Sequence, residues 1–189
     1  KNLLHLHTLM REARYMNLKK WHAAAILFTI IFGTLNHFFY RWSGQNPFIA
    51  PFSAVNESTW EHLKLLSTPM ILFSIVEYFA YGKHYDGFTA IRTLSVFTGA
   101  FLITVAFYSY SAIAGQNILW ADIATFLLAV IASYMLSYYL LKHNRLTSMP
   151  VEIAARILMA ALIVCFLLFT AQPPHIFLFQ DPVTGQYGL

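Results

Sequence analysis

The sequence predicts an all-α integral membrane protein, a bundle of five transmembrane helices with its N-terminus inside and its C-terminus outside. Of its 189 residues, 58% are hydrophobic and only 11% are charged, whereas a soluble domain carries about 25% charge. Five separate apolar stretches are each long enough to cross a bilayer as a helix. The four tryptophans fall near the ends of these stretches, as in an interfacial aromatic belt. The chain length leaves no room for a sizeable soluble domain.

The first element, residues 1–20, mixes Leu and Met with His, Arg and Lys. This pattern favours an amphipathic segment on the membrane surface, with a solvated basic tail as the alternative. No A-x-A-like cleavage site follows the first apolar run, so we expect no removable signal peptide. The membrane domain is expected at 21–171, with spans at about 21–39, 60–81, 88–113, 118–141 and 151–171.

Local signals mark where the spans begin. The connection between spans one and two is the longest, and Gly44 and Pro47 keep it non-helical. Ser58 is a natural N-cap for span two, and Glu61 three residues later completes a capping-box pattern. Pro150 stands at the start of span five, where a helix tolerates proline.

The basic residues predict the orientation of the chain. Ten of the twelve Lys and Arg residues fall before span one, between spans two and three, or between spans four and five, including their flanks. Only Arg41 and Lys64 fall on the other side. The positive-inside rule therefore places the N-terminus in the cytoplasm, and five crossings place the C-terminus outside the cell membrane.

Polar residues from distant parts of the chain are expected to converge on the outer face. The densest group is the stretch NESTWEHLK at 56–64, at the start of span two. With five crossings, four of the eight acidic residues and three of the eight histidines fall on this side. They are Glu57, Glu61, Asp122, Asp181, His37, His62 and His175.

The tail at 172–189 is expected to fold back over the outer face as a cap. Pro173 and Pro174 end span five, and turn signals follow at Asp181 and Gly185. The intervening run IFLF at 176–179 is too apolar to stay in water. A folded tail would bring His175 and Asp181 toward the 56–64 stretch.

These residues offer the ligands of a divalent metal such as zinc. We expect His37, His62 and His175 to bind the metal or shuttle protons, and Glu57 or Glu61 to act as general base. Asp181 would orient a histidine or complete the metal site. The spacing is not H-E-x-x-H, and no other standard metal, nucleotide or hydrolase motif occurs.

Purely structural roles compete with this interpretation. Glu61 has a role as the capping partner of Ser58, with Lys64 as a solvated neighbour. The structural alternative for His37 is a position at the membrane interface, and for His62 it is a hydrogen bond alone. Asp122 either lines the same mouth or stabilises a helix N-terminus. Glu77 is expected to snorkel to the cytoplasmic interface or pair with a basic neighbour such as Lys83 or Arg92. The single cysteine, Cys165, lies mid-span and is expected to pack.

Two motifs resemble those of a family of small bacterial multi-spanning membrane proteins, classified as a domain of unknown function. The first is VNESTWEHLKL at 55–65, and the second is the C-terminal HIFLFQDPVTGQYG at 175–188. The resemblance covers essentially the whole chain. It implies a bacterial integral membrane protein and brings no established activity.

The leading functional hypothesis is a membrane-integral enzyme, a hydrolase or transferase, whose site opens at the outer face. Its expected partners are membrane lipid and a lipid or lipid-linked substrate, and no nucleic acid, because the basic residues report topology. A small transporter or channel is one alternative, although transport sites usually lie near the midplane. A non-catalytic accessory or binding subunit is the other.

Overall fold

The structure is a computed structural model that describes the backbone of residues 2–189 and the side chains of residues 17–189. Five long helices account for most of the described chain. They are α1 (Asn2–Trp42), α2 (Thr59–Ala80), α3 (Phe88–Ala114), α4 (Leu119–Lys142) and α5 (Met149–Ala171). Two short 3-10 helices lie at Gly82–His84 and Phe177–Phe179.

All five helices have the length and apolar composition needed to cross a membrane, with Asn17–Trp42 as the candidate span within α1. No β-strand occurs among the described residues, and the tail has a single bridge between Gln180 and Tyr187. The prediction of an all-α protein with five membrane-length helices is therefore confirmed. The amphipathic character expected of 1–20 falls mostly outside the residues whose side chains are described.

The start of α2 follows the predicted cap only in part. The Ser58 hydroxyl accepts a hydrogen bond from the backbone N–H of Glu61 at 3.4 Å, so Ser58 is the N-cap. The Glu61 carboxylate does not return this contact and instead accepts the backbone N–H of Val55 at 3.0 Å. The backbone N–H of Ser58 donates to Asn56 Oδ1. Pro150 lies in the first turn of α5, as predicted.

The helices pack around a core of buried apolar side chains, among them Leu66, Met70, Val96 and Val130. Because successive helices run in opposite directions, the chain has two polar ends. The first, which we call the site end, holds the ends of α1, α3 and α5 and the starts of α2 and α4. The opposite end of the bundle is called the Arg92 end.

The Arg92 end contains a buried ion pair. Glu77 Oε1 contacts the Arg92 guanidinium and accepts the Tyr81 hydroxyl at 2.7 Å. Arg92 also donates to Ser137 Oγ at 2.9 Å, and this oxygen lies 3.2 Å from His22 Nε2. Four of the five helices thus meet through one polar network. Of the two partners expected for Glu77, the structure selects Arg92.

Candidate functional site

Three side chains form the centre of the site end. His37 comes from the last turns of α1, Glu57 from the loop that precedes α2, and His62 from the first turn of α2. Glu57 Oε1 lies 3.6 Å from His37 Nε2, and Glu57 Oε2 lies 3.4 Å from His62 Nε2. One ligand atom from each residue lies within 4.8 Å of the other two. The structure therefore brings together three of the predicted site residues.

The spacing of these atoms suits either direct contacts between the side chains or a shared cation. Each histidine nitrogen lies near a different Glu57 oxygen, 3.6 Å from Oε1 for His37 and 3.4 Å from Oε2 for His62. Tetrahedral zinc with bonds of about 2.0–2.1 Å to N and O places neighbouring ligand atoms about 3.4 Å apart. The three side chains are therefore candidate ligands for one cation.

The rings of His37 and His62 differ in their hydrogen bonding. His62 Nδ1 lies 2.9 Å from the carbonyl oxygen of Ser58, to which it can donate. Such a contact leaves Nε2 with its lone pair free, which is the arrangement found around metal-bound histidines. The His37 Nδ1 is buried and has no hydrogen-bond partner among the described residues. Its ring packs beside His62, with centroids 5.4 Å apart.

The C-terminal tail fixes the backbone on which Glu57 stands. The side-chain amide of Asn56 donates to the carbonyl oxygen of Gly188 at 2.8 Å. The backbone N–H of Glu57 donates to Asp181 Oδ2 at 3.4 Å. Asp181 is only 5% exposed, and its Oδ1 accepts the backbone N–H groups of Val183 and Thr184. Asp181 therefore contacts the Glu57 backbone, and it makes no hydrogen bond to a histidine ring among residues 17–189.

Aromatic packing seats the same tail on the bundle. Phe179 is buried against Trp60, with ring centroids 4.9 Å apart, and against Phe169 at 5.4 Å. The Tyr108 hydroxyl donates to the carbonyl oxygen of Phe177. The tail thus lies over the start of α2 and the ends of α3 and α5.

Glu61, the second candidate base, lies apart from the three-residue centre. Its Oε2 lies 2.6 Å from Lys64 Nζ, and both side chains are almost completely buried. Lys64 Nζ also donates to the carbonyl of Ala50 at 3.0 Å and to Thr170 Oγ1 at 2.5 Å. The expectation that Lys64 is solvated is wrong. The pair instead ties the loop before α2 to the end of α5.

His175 also lies outside the centre. Its ring is exposed and stacks on Tyr187, with centroids 4.5 Å apart and an interplanar angle of 12°. The group of close ligand atoms contains His37, Glu57 and His62 without it. The sequence around His175 gives no sign of this stacking partner. The bridge between Gln180 and Tyr187 folds the tail back on itself, and this brings the Tyr187 ring beside His175.

A cavity of about 360 Å³ opens beside the centre, between α2, α3, α4 and the tail. Glu57 and His62 line it together with Thr59, Asn117 and Asp122. Its remaining wall is mainly apolar and includes Leu65, Ile103, Phe107, Phe126 and Val183. The cavity therefore has a polar side at the site end and an apolar side toward the bundle interior.

Asp122, for which the sequence left two roles open and which was not among the predicted catalytic or metal residues, lines the cavity. It lies in the first turn of α4, and its Oδ1 accepts the Tyr110 hydroxyl across the junction between α3 and α4. In the sequence, the indication of this role was the position of Asp122 about one turn into span four. The same position is expected for a carboxylate that only stabilises the start of the helix.

These features define a class: a multi-pass membrane protein with five apolar helices and a candidate cation site at one end of the bundle. The candidate ligands come from the end of α1, the following loop and the start of α2, and the C-terminal tail packs against that loop.

The chain belongs to the family of unknown function DUF6512, whose model matches residues 10–189. The resemblance to a family of unknown function, noted from the two sequence motifs, is therefore confirmed. No curated protein and no solved structure gives a significant match.

Proposed function

We propose that this protein is a membrane-integral, metal-dependent hydrolase or transferase that acts on the head group of a lipid or lipid-linked substrate. The observation that carries the proposal is the placement of the Glu57 carboxylate 3.4 and 3.6 Å from the Nε2 atoms of His62 and His37. In this proposal the three side chains would hold one divalent cation beside the cavity.

The donor set suits a catalytic cation. Two histidines and one carboxylate leave a fourth position open, as in the zinc sites of several hydrolases. A divalent cation held there supplies a Lewis acid and lowers the pKa of a bound water to about 7. The same ligands suit ferrous iron, so the identity of the metal is an outcome of the test. The side chains of Glu57 and His62 are 47% and 34% exposed, which leaves room for a substrate.

The cavity beside the centre suits an amphiphile. Thr59 and Leu65 both line it from α2, and six residues of helix correspond to a depth of about 9 Å. Its polar groups lie at the level of the helix start, and Leu65, Ile103 and Phe126 lie deeper. A head group can therefore reach Glu57 and His62 while an apolar chain extends into the bundle.

The charge distribution supports an extracytoplasmic site. Ten of the twelve Lys and Arg residues lie on the side of the chain expected to face the cytoplasm. Of the two basic residues at the site end, Arg41 and Lys64, Lys64 forms a buried ion pair with Glu61. The tail over the cavity would then face outward from the cell membrane.

Elemental analysis of the detergent-purified protein by inductively coupled plasma mass spectrometry is the direct test. We expect about one zinc or similar divalent ion per chain. His62→Ala and Glu57→Gln should lose it, whereas His175→Ala, the matched control, should retain it. No metal in the parent protein after incubation with zinc or ferrous iron would overturn the proposal.

Chemistry is tested next, by incubating the metal-loaded protein with a membrane lipid extract and detecting products by mass spectrometry. A product that requires Glu57 and His62, and is unaffected by His175→Ala, supports an enzyme. Metal binding without any product, accompanied by cation flux in proteoliposomes, would replace the enzyme with a transporter. Neither product nor flux would favour a binding or accessory protein.

A further inference from the structure

The polar wall of the cavity is rich in hydrogen-bond acceptors. The carboxylates of Glu57 and Asp122 face it from opposite elements, the loop before α2 and the start of α4. An ionised carboxylate accepts hydrogen bonds and donates none. Asp122 Oδ1 is occupied by the Tyr110 hydroxyl, and Oδ2 has no hydrogen-bond partner in the part of the chain that the structure describes.

The other polar groups add little donor capacity. The Thr59 hydroxyl donates its proton to the Tyr108 oxygen at 3.1 Å, which leaves its lone pairs for a ligand. His62 Nε2 is an acceptor when Nδ1 donates to Ser58. Among the polar residues that line the cavity, the donors left for a ligand are the Asn117 side-chain amide and the Thr125 hydroxyl.

We propose that the cavity binds a single-chain amphiphile whose head group donates hydrogen bonds, such as a hydroxyl or an amide N–H, and that Asp122 is its specificity-determining residue. This inference rests on the cavity of the proposed function, but not on the presence of a metal. A head group without donors covers Asp122 Oδ2 and leaves it without a hydrogen bond, which is costly. A phosphorylated head group would add like charge beside it.

The volume of the cavity favours a lipid with a single acyl chain. About 360 Å³ lies near the lower limit of roughly 300–1,000 Å³ for ligand pockets. Leu65, Ile103 and Phe126 line its apolar part as a single compartment between α2, α3 and α4. A lipid with two acyl chains would have to leave one of them outside.

The Asp122 side chain is held in position by a neighbouring helix. The Tyr110 hydroxyl near the end of α3 donates to its Oδ1, and Asp122 itself lies in the first turn of α4 and lines the cavity. The proposed specificity thus depends on a carboxylate whose position is set by a tertiary contact.

The test compares two ligands that differ only in hydrogen-bond donors. Native mass spectrometry of the zinc-free protein in neutral detergent measures binding of a monoacylglycerol and of its analogue with both hydroxyls methylated. We expect the monoacylglycerol to bind roughly ten- to a hundredfold more tightly, the range for a hydrogen bond to a charged group. The same chain bearing a phosphate head should bind at least about tenfold more weakly than the monoacylglycerol.

Two variants assign the effect to the cavity. Asp122→Asn should reduce the preference for the monoacylglycerol toward unity, whereas Tyr110→Phe, which keeps the carboxylate, should retain it. Thr125→Trp, which fills the cavity from α4, should abolish binding of both lipids and so separates the cavity from the surrounding lipid annulus.

Equal binding of the two lipids by the parent protein would overturn the inference without any variant. So would an unchanged preference in a folded Asp122→Asn protein, or lipid binding that survives Thr125→Trp. Because these measurements are made without zinc, their failure is distinct from a failure to bind metal. A preference that follows Asp122 in a protein that binds no metal would sustain this inference and remove the proposed enzyme mechanism.

Discussion

A carboxylate lies beside basic side chains at each end of the bundle, Glu77 at the Arg92 end and Glu57 at the site end. Of these two carboxylates, only Glu57 is exposed to solvent. At the Arg92 end, the Glu77 and Arg92 side chains are 0% and 2% exposed and contact each other directly. At the site end, the Glu57 side chain is 47% exposed and lies between two histidines, 3.6 Å from His37 Nε2 and 3.4 Å from His62 Nε2. The first pair is closed off from solvent, and the second remains accessible to a ligand.

The difference separates stability from function. A buried charge that loses its partner is strongly destabilising, so the Arg92 end should respond to mutation through folding. A partly exposed group keeps contact with water when its neighbour is removed, so the centre formed by His37, Glu57 and His62 should respond through ligand binding.

The largest effect is expected from Arg92→Met. The substitution leaves the Glu77 carboxylate buried without its cation, and we expect a loss of about 3–5 kcal/mol in the free energy of unfolding. The measurement is reversible unfolding by SDS in mixed micelles. The double variant Glu77→Leu/Arg92→Met should recover most of the loss, because no unpaired charge remains. A loss below about 1 kcal/mol in the single variant would contradict the division.

The second prediction concerns His62→Ala. Zinc at about 100 times its dissociation constant should stabilise the parent protein by about 2.7 kcal/mol, and the variant should lose this gain. Without zinc, the variant should unfold within about 1 kcal/mol of the parent, because a partly exposed side chain is removed. Thermal unfolding with and without zinc measures both quantities. The His175→Ala control should keep the full zinc-dependent shift, and its loss there would relocate the metal site.

A smaller effect is expected from Asp181→Ala. Asp181 accepts the backbone N–H of Glu57 and organises the turn that follows it. Loss of such an outer contact typically weakens metal affinity about ten- to a hundredfold, and we expect the lower limit because the Glu57 contact is long. Competition with a zinc chelator gives the affinity. Gln180→Ala, a control in the same tail whose side chain contacts Gly185, should leave it unchanged.

The smallest effect is expected from Arg156→Ala at the Arg92 end. Arg156 is 59% exposed and lies 3.3 Å from Glu152, and such a surface pair contributes about 0.2–1 kcal/mol. SDS unfolding should therefore show a loss at least threefold smaller than that of Arg92→Met. Comparable losses for the two arginines would mean that burial does not control their contribution.

Much of the fold was available from the sequence because it depends on local composition. A run of about 20 apolar residues specifies a spanning helix regardless of its neighbours. Ser58 and Pro150 mark the starts of α2 and α5 because capping and proline geometry act within one helical turn. The placement of polar groups at one end also followed, since an alternating path of five helices fixes which ends lie together.

The roles of particular side chains did not follow in the same way. Glu57 and Glu61 are separated by one helical turn in sequence, yet the first faces a cavity and the second is sealed against Lys64. The path of the preceding loop decides this, because the carbonyl groups of Ala50 and Ser53 turn inward onto Lys64.

The sequence by itself determined the five helices, the starts of α2 and α5, and the end of the bundle at which His37, Glu57 and His62 would fall. It did not determine the start of α1, which is one continuous helix from Asn2. Only the tertiary structure decided that these three meet, that His175 stacks on Tyr187 elsewhere, and that Asp122 lines the cavity. The physical reason is range. Helix formation is governed by neighbouring residues, whereas the site depends on contacts such as Asn56 with Gly188, which join positions 132 residues apart.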